Sequence, residues 1–300
     1  MAWGLDIGTE MLQLCRARLH RGRFQLHRRA ELKAPPGLIR PSLKDTNVVD
    51  PPAVSGILRA LCESAGYRGW VRVALPDAVF TLRTLSTDEL PRKPSEARQF
   101  LRWQARDLLP FPAEEARIDF LPPIPGRDGR LRVVCLMARD RILAEYEQLL
   151  TDAGLQPAAL DARSITLAQA ASSVLGDRTS GLLAVGETQT TLLLVEAGRP
   201  RFWRILPAGK QAWANRERSR LFHEVGNSIT FCYETEGVGP VDGLTVSGLG
   251  VLAGGVVSAL EEWLELPVRS LDLCAALRID GHPEDLNLWG PAIGAAIRSC

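Results

Sequence analysis

Residues 180–209 read SGLLAVGETQTTLLLVEAGRPRFWRILPAG, in which three apolar segments are separated by two turns that contain glycine. Apolar segments of this length, bounded by turn residues, predict three consecutive β-strands. Residues 3–29 have the same layout, because the turns GLDIGTE and HRGR separate segments in which apolar and polar residues alternate. Two copies of one three-stranded unit predict a duplicated α/β fold with two lobes.

The segments that follow the two units predict helices that alternate with strands. SEARQFLRWQARDLL, residues 95–109, predicts an amphipathic helix whose apolar face, with Phe100 and Trp103, packs into the core. The chain ends in a small-residue helix, GPAIGAAIR. We therefore expect a first lobe, a second lobe and a C-terminal helix that returns to the first lobe. Their ranges are residues 1–178, 179–284 and 285–300.

The overall composition is that of an ordinary globular protein. The 300 residues are 46% hydrophobic and carry a net charge of +1, so the chain as a whole has little charge to attract nucleic acid. The 6 cysteines are scattered without a CxxC pair, which predicts reduced thiols rather than a disulfide framework or a zinc site. The sequence has neither a signal peptide nor about 18 successive apolar residues, so we expect it to be neither exported nor membrane-spanning.

One face of the first three-stranded unit is rich in arginine. A sheet face of this kind is usually just solvated, and that is the interpretation we favour. A functional basic patch is the alternative. The arginines are Arg16, Arg18, Arg21, Arg23, Arg28 and Arg29.

The turn at Asp6, Gly8 and Thr9 has the residue types of a phosphate-binding loop. Glycine lets backbone N–H groups approach a phosphate, threonine can donate from its hydroxyl, and aspartate can orient water around Mg²⁺. The same residue types occur in plain hairpin turns, where aspartate and glycine are favoured for conformational reasons alone. The turn by itself leaves both interpretations open.

Several segments together resemble one family of proteins. They are GLDIGTEMLQL, VALPDAVFTLRTL, FLRWQARDLLPFPAEEARIDF, AGLQPAALDARSITLAQA, VSGLGVLAGGVVSALEEWLELPV and PAIGAAIR. The third is the most diagnostic, because a helix runs into LPFP at residues 109–112 and is followed by Glu114, Glu115 and Asp119. The chain resembles the actin-like ATPase superfamily and, within it, the PilM family of type IV pilus assembly proteins, which is related to FtsA.

The resemblance implies an actin-like, ribonuclease H-like fold with a PilM/FtsA-type subdomain inserted at about residues 84–157 and a reduced last subdomain in the second lobe. It also implies a cleft that holds ATP and Mg²⁺, with Asp6 at the metal. The turn SGLG, residues 247–250, would lie against the adenine, and Glu224 would lie near the ribose. The residues implied at the nucleotide are Asp6, Gly8, Thr9, Gly186, Thr190, Glu224, Gly248 and Gly250.

Three positions depart from what the resemblance implies. Ala184 stands where the second lobe should carry the aspartate of an Asp-Ile-Gly turn. Glu10 stands where the family usually has a small hydroxyl residue, and Gln13 where relatives tend to have lysine. A carboxylate repels a nearby phosphate, and the loss of a lysine removes an attraction. We therefore expect no ATP hydrolysis and assign no catalytic residue, and ATP is either a structural ligand or absent.

The resemblance also implies a partner. As in the PilM family, the chain would bind the short cytoplasmic N-terminal segment of a PilN-like bitopic inner-membrane protein, in a groove that the insert helps to form. An extended peptide would dock there by side-chain burial and by main-chain hydrogen bonds. We expect a cytoplasmic scaffold at the inner-membrane face of a pilus or related secretion system, which contacts the membrane only through this partner, binds no nucleic acid and has self-association left open. A small-molecule kinase of the same fold is the alternative.

Overall fold

The structure is a computed structural model that describes residues 2–20, 23–126, 128–215, 218–235, 237–248, 253–279 and 286–297. Within these ranges the strands are β1 (Ala2–Ile7), β2 (Met11–His20), β3 (Arg23–Lys33), β4 (Trp70–Leu75), β5 (Phe80–Thr87), β6 (Ala116–Phe120), β7 (Ile124–Pro125), β8 (Leu131–Arg139), β9 (Gln156–Ala162), β10 (Ser180–Val185), β11 (Thr190–Glu196), β12 (Arg199–Leu206), β13 (Leu244–Ser247) and β14 (Val268–Ser270). The helices are α1 (Pro51–Ala65), α2 (Pro94–Gln104), α3 (Asp140–Asp152), α4 (Arg163–Ala170), α5 (Ser172–Leu175), α6 (Lys210–Ala214), α7 (Arg218–Thr235), α8 (Ala253–Leu264), α9 (Leu273–Leu277) and α10 (Gly290–Ile297).

The first sheet has the strand order β3-β2-β1-β4-β9. Its central strand β1 pairs antiparallel with β2, where Ile7 lies opposite Leu12, and parallel with β4, where Asp6 lies opposite Ala74. Helices α1 and α10 pack against this sheet, and Ile7 and Leu12 are fully buried in its core. Because β1 and β4 are parallel, their carboxyl ends meet at one edge of the sheet, which is where open α/β sheets bind ligands.

The second sheet repeats this arrangement with the strand order β12-β11-β10-β13-β14. Its central strand β10 pairs antiparallel with β11, where Val185 lies opposite Thr190, and parallel with β13, where Ala184 lies opposite Ser247. The turn after β10 therefore corresponds to the turn after β1. The duplication predicted from residues 3–29 and 180–209 is confirmed.

A third sheet, with the order β5-β8-β6, is inserted between β4 and β9 of the first sheet. Strand β7 adds to β8, and α2 packs against β6. Residues 80–139 build this sheet, so the predicted insert, residues 84–157, begins inside β5 and continues past β8. Helix α3 and strand β9 belong to the first lobe, because β9 pairs in parallel with β4.

Helix α2 corrects one expectation about the core. It ends at Gln104 rather than near residue 109, and Trp103 on its outer face is 61% exposed. The guanidinium of Arg106 lies 4.5 Å from the centre of the Trp103 ring. The buried residues of α2 are Ala97 and Leu101. The helix covers only a small sheet, so its buried face is narrower than the apolar spacing predicts.

Helix α10 lies between β1 and α4 and contacts both. The approach to β1 is close enough that a Cβ atom on Gly4 would lie 1.9 Å from the carbonyl oxygen of Ala292. This contact places α10 against the first sheet, where it also contacts β4. Among the described helices, none combines the length and the apolar character needed to cross a bilayer.

Candidate functional site

A cleft of about 550 Å³ separates the two lobes at the carboxyl ends of their central strands. One side is the turn after β1, with Gly8 and Thr9, and the other side is the turn after β10, with Gly186. Gly248, just after β13, closes one end. The structure thus brings together four of the residues that the sequence predicts at a nucleotide, and Asp6 lies directly beneath them at the end of β1.

The two facing turns have the same internal hydrogen bond. The N–H of Gly8 donates to the carbonyl of Met11 at 2.9 Å, and the N–H of Gly186 donates to the carbonyl of Gln189 at 2.8 Å. Gly248 has φ +92°, and a Cβ atom there would lie 1.9 Å from the carbonyl oxygen of Val185. Glycine at this position is therefore required by the backbone itself, so its presence alone does not indicate a bound base.

The carboxylate of Asp6 is already paired with a cation from the same lobe. Asp6 is 1% exposed, and its Oδ2 accepts a hydrogen bond from Nε of Arg163 at 3.0 Å and forms an ion pair with Nη2 of Arg163 at 2.9 Å. Burial raises the pKa of Asp6, and the guanidinium of Arg163 opposes that rise. The other oxygen, Oδ1, is buried and has no hydrogen-bond partner among the described residues.

These residues do not fit a magnesium ion at Asp6. Mg²⁺ requires near-octahedral oxygen ligands and is usually held by one or two carboxylates together with substrate phosphates. Here one oxygen of Asp6 is bound to Arg163, a guanidinium that would repel a second cation, and Ala184 offers no carboxylate from the opposite turn. No group of three or more His, Cys, Asp or Glu side chains in the described ranges is arranged to hold a metal.

A second buried carboxylate, Asp77, joins the two lobes. It follows β4, and its Oδ1 accepts a hydrogen bond from the N–H of Ser164 at 2.8 Å. Its Oδ2 accepts one from the hydroxyl of Thr191, on β11 of the second lobe, at 2.6 Å. Burial raises the pKa of Asp77, while these two hydrogen bonds oppose the rise. Sequence reasoning assigned no role to Asp77, although its place at the carboxyl end of a strand parallel to β1 is a usable signal.

The charges that line the cleft are nearly balanced. The cations are Lys33, Arg163 and Lys210, and the carboxylates are Glu10, Glu31, Asp77 and Glu187. A nucleoside triphosphate carries about four negative charges and needs a clear excess of positive charge or of N–H donors around its phosphates. The described lining has one more carboxylate than cations, so it does not supply that excess.

Two of the predicted site residues lie away from the cleft. The hydroxyl of Thr190 is buried, donates to the carbonyl of Ala208 at 2.6 Å and accepts from Nε1 of Trp213 at 2.8 Å. Glu224, on α7, pairs with Arg220 at 3.1 Å and with Arg204 at 3.5 Å. Neither residue lines the cleft. Gly250 lies outside the described residues.

A separate groove of about 480 Å³ lies where the third sheet meets α3. Its lining includes Ala116 and Arg117 of β6, and β6 is an edge strand whose pairing within the described chain is to β8 alone. An unpaired strand edge offers main-chain donors and acceptors to an added strand. Arg102 of α2 also lines the groove, and its Nε is buried without a hydrogen-bond partner among the described residues.

The sequence matches one protein family over most of its length. The family described as "Type IV pilus assembly protein PilM" matches residues 4–215, which is more than half of the chain. The chain belongs to the PilM family. A comparison with curated protein sequences gives no match.

Solved structures show that this PilM-family chain has an actin-like fold. A chain of a PilM-PilN type IV pilus biogenesis complex superposes with a TM-score of 0.80 and 23% identity, covering 99% of this chain and 96% of that one. A Bacteroides thetaiotaomicron protein with an actin-like ATPase fold and unknown function has a TM-score of 0.52 and 9% identity, covering 96% and 94%. The cytoplasmic domain of EpsL, an inner membrane component of the Vibrio cholerae type II secretion system, has a TM-score of 0.51 and 9% identity, covering 81% and 80%.

Proposed function

We propose that this PilM-family protein is a cytoplasmic assembly scaffold of a type IV pilus. In this proposal it binds the short cytoplasmic N-terminal segment of a PilN-like inner-membrane protein and so lies at the inner-membrane face. Family membership supports the pilus assignment, and the high structural similarity to a chain of a PilM-PilN complex supports the choice of partner. Family membership leaves the small-molecule kinase without support.

The groove beside β6 is the site that we propose for the partner segment. An extended peptide placed along the free edge of β6 would add a strand to the third sheet and satisfy its main-chain groups. The buried and unpartnered Nε of Arg102 would then donate to an oxygen of the peptide, which removes the cost of leaving a buried donor unpaired. The observation that favours this groove is the unpaired Nε of Arg102 beside the free edge of β6.

Peptide binding to two matched arginine variants tests this assignment. We expect the N-terminal segment of the PilN-like protein encoded with this chain to bind in fluorescence anisotropy, and Arg102→Ala to weaken the affinity by about tenfold. Arg106→Ala is the control, because Arg106 is exposed, pairs with Asp107 at 3.6 Å and does not line the groove. If Arg102→Ala and Arg106→Ala bound the peptide with equal affinity, the peptide site would lie outside this groove. If the unaltered chain did not bind the peptide, the proposed partner would be wrong.

For the cleft, we propose the nucleotide-free form of the scaffold. The Arg163 to Asp6 pair and the absence of a carboxylate at Ala184 both disfavour Mg²⁺, and the lining has no excess of positive charge. The alternative, ATP as a structural ligand against Gly8, Thr9, Gly186 and Gly248, rests on the shape of the cleft and on its retained turns.

Thermal unfolding distinguishes the two forms of the cleft. A ligand that binds only the folded state raises the melting temperature in proportion to RT ln(1 + [L]/Kd). We expect no rise with millimolar ATP, with or without Mg²⁺. A rise of several degrees that depends on ATP concentration would establish ATP as a ligand and overturn the nucleotide-free form.

A further inference from the structure

The hairpin of β2 and β3 extends beyond the first sheet at the end opposite the cleft. The pairing of β1 with β2 stops at Ala2 and Ala17, whereas β2 and β3 stay paired with each other as far as His20 and Arg23. We use the name basic pole for the surface at this end of the lobe. It consists of Arg16, Arg18, Arg28, Arg68 and Trp70.

Contacts connect Arg16 and Arg28 of the basic pole to the end of α1 and to the segment that follows it. The guanidinium of Arg16 lies 5.6 Å from the centre of the Trp3 ring, and the rings of Trp3 and Tyr67 are 5.5 Å apart. Arg28 donates to the carbonyl of Ala65, at the end of α1, at 3.0 Å. Tyr67 leads directly into Arg68 and Trp70 along the chain.

The arrangement of charge at the basic pole is unfavourable for the chain alone. Arg16 and Arg28 are directly opposite each other on β2 and β3, and like charges in that position repel. None of the four arginines of the pole forms an ion pair within the described structure. The carboxylates at the neighbouring helix ends, Glu63 of α1 and Asp152 of α3, form no ion pair with them. An external anion would relieve this repulsion.

Exposed aromatic area accompanies the arginines. Trp70 is 66% exposed, the highest fraction among the exposed large apolar residues described, and Phe24 of the hairpin is half-buried. Tryptophan and arginine together are characteristic of proteins that contact the lipid–water interface, because the indole ring lies at the headgroup level and the guanidinium binds phosphate.

We propose that the basic pole binds an anionic membrane surface through the phosphate groups of its lipids. The end of the hairpin and Trp70, at the start of β4, lie at the same end of the first sheet, so one flat, negatively charged layer at that end would face both. The inference rests on the proposed function only for the presence of a membrane near the protein, since a short anchored segment would hold the scaffold close to the bilayer. It involves neither the cleft nor the groove beside β6.

Vesicle flotation with the full chain, without any partner, tests this proposal. We expect binding to vesicles of phosphatidylcholine mixed with phosphatidylglycerol, little binding to phosphatidylcholine alone, and loss of binding as salt rises from about 0.05 to about 0.3 M. Arg18→Glu/Arg68→Glu should lower the partition coefficient at least about tenfold, because each basic residue adds to the attraction. Trp70→Ala should also lower it, but without changing its salt dependence.

A charge-matched variant provides the control. Arg92→Glu/Arg106→Glu changes the net charge equally on exposed residues of the inserted subdomain, and we expect it to bind vesicles like the unaltered chain. Equal loss in both double variants, equal binding to neutral vesicles, or no binding to vesicles at all would overturn the proposal. So would a preference of the basic pole for an acidic peptide or nucleic acid over anionic vesicles. The anisotropy assay with the partner peptide should be unaffected by Arg18→Glu/Arg68→Glu, so failure of either proposal can be recognised separately.

Discussion

In the first lobe the next-to-last residue of the central strand is Asp6, and in the second lobe the equivalent residue is Ala184, each just before a glycine turn of the same form. The cross-strand neighbour of Asp6 is Gln13, and that of Ala184 is Thr191. Thr191 donates to Asp77, which comes from the first lobe. A carboxylate of the first lobe thus forms a bond between the lobes at the cross-strand neighbour of Ala184.

The comparison shows that both glycine turns have a structural role of their own. Both glycine turns persist because they close the hairpins that build the two sheets. The polar side chains around them make contacts within the chain, with Asp6 bound to Arg163 and Asp77 bound to Ser164 and Thr191. These contacts stabilise the first lobe and its junction with the second.

The largest expected effect on stability comes from breaking the ion pair between Asp6 and Arg163 in the first lobe. Arg163→Met leaves the carboxylate of Asp6 buried without its cation and should lower the free energy of unfolding by about 2 to 3 kcal/mol. We expect a smaller loss of unfolding free energy than for a fully buried pair, because the Arg163 side chain is 37% exposed to solvent. Urea unfolding measures the loss.

A double variant separates the lost pair from lost packing. Asp6→Asn/Arg163→Met removes the uncompensated charge and should recover most of the stability, because replacing both partners of a buried pair costs less than removing one. Arg178→Met is the surface control, since the Arg178 side chain is 82% exposed in its pair with Asp242. If the double variant were as unstable as Arg163→Met, the pair would not explain the loss.

The hydrogen bond from Thr191 of the second lobe to Asp77 of the first lobe has the next largest expected effect on stability. Thr191→Val keeps the shape of the side chain and leaves Oδ2 of Asp77 without its donor, which should cost about 1 to 3 kcal/mol. Thr151→Val is the matched control, because its hydroxyl is exposed and bonds within α3 to the carbonyl of Glu147. Equal unfolding free energies for the two variants would show that the bond between the lobes contributes nothing.

Strand alternation explains what could be predicted in this region and what could not. The turns at Gly8 and Gly186 were predictable because alternation and glycine mark hairpins locally. Thr190 was placed at the cleft, but side chains alternate along a strand, so Thr190 faces Trp213 and Thr191 faces the cleft. A register shift of one residue moves every side chain to the opposite face of the sheet, and the sequence does not determine the register at the end of a strand.

Long-range contacts were beyond the sequence. Arg163 is 157 positions from Asp6, and Thr191 is 114 positions from Asp77. Neither pairing has a local pattern, and each depends on how helices and lobes come together. Trp103 shows that local spacing is not sufficient either. Its spacing along the helix is that of a core residue, but the sheet beneath the helix is too small to bury it.

The pH dependence of stability sharpens the role of Asp77. Its pKa is raised from the ordinary value of 3.8, so the folded state binds the proton more tightly than the unfolded state. This contribution to stability is present below that ordinary value and is lost as pH rises through the folded value. The stability advantage of the unaltered chain over Asp77→Asn should therefore fall as the pH rises from the ordinary value of 3.8 through the folded pKa, by about 1.4 kcal/mol for each unit of pKa shift.

Thr191→Val provides the companion measurement over the same pH range. Removing the hydroxyl donor raises the pKa of Asp77 further, so the stability of this variant should fall more steeply with rising pH than that of the unaltered chain. Denaturant unfolding at each pH gives both slopes. If the stability of the unaltered chain relative to Asp77→Asn instead rose with pH, the folded state would favour the ionised carboxylate. That result would contradict this expectation.

The smallest expected effect comes from Gln13, the first-lobe equivalent of Thr191. Its amide donates to Oε2 of Glu31 at 2.9 Å, and Glu31 is an exposed residue that water can solvate once the bond is lost. Gln13→Met, which keeps the length of the side chain, should therefore cost at most about 1 kcal/mol in urea unfolding. The two equivalent positions would then differ because their acceptors differ in burial. A cost for Gln13→Met as large as that for Thr191→Val would remove burial of the acceptor as the cause of the asymmetry between the lobes.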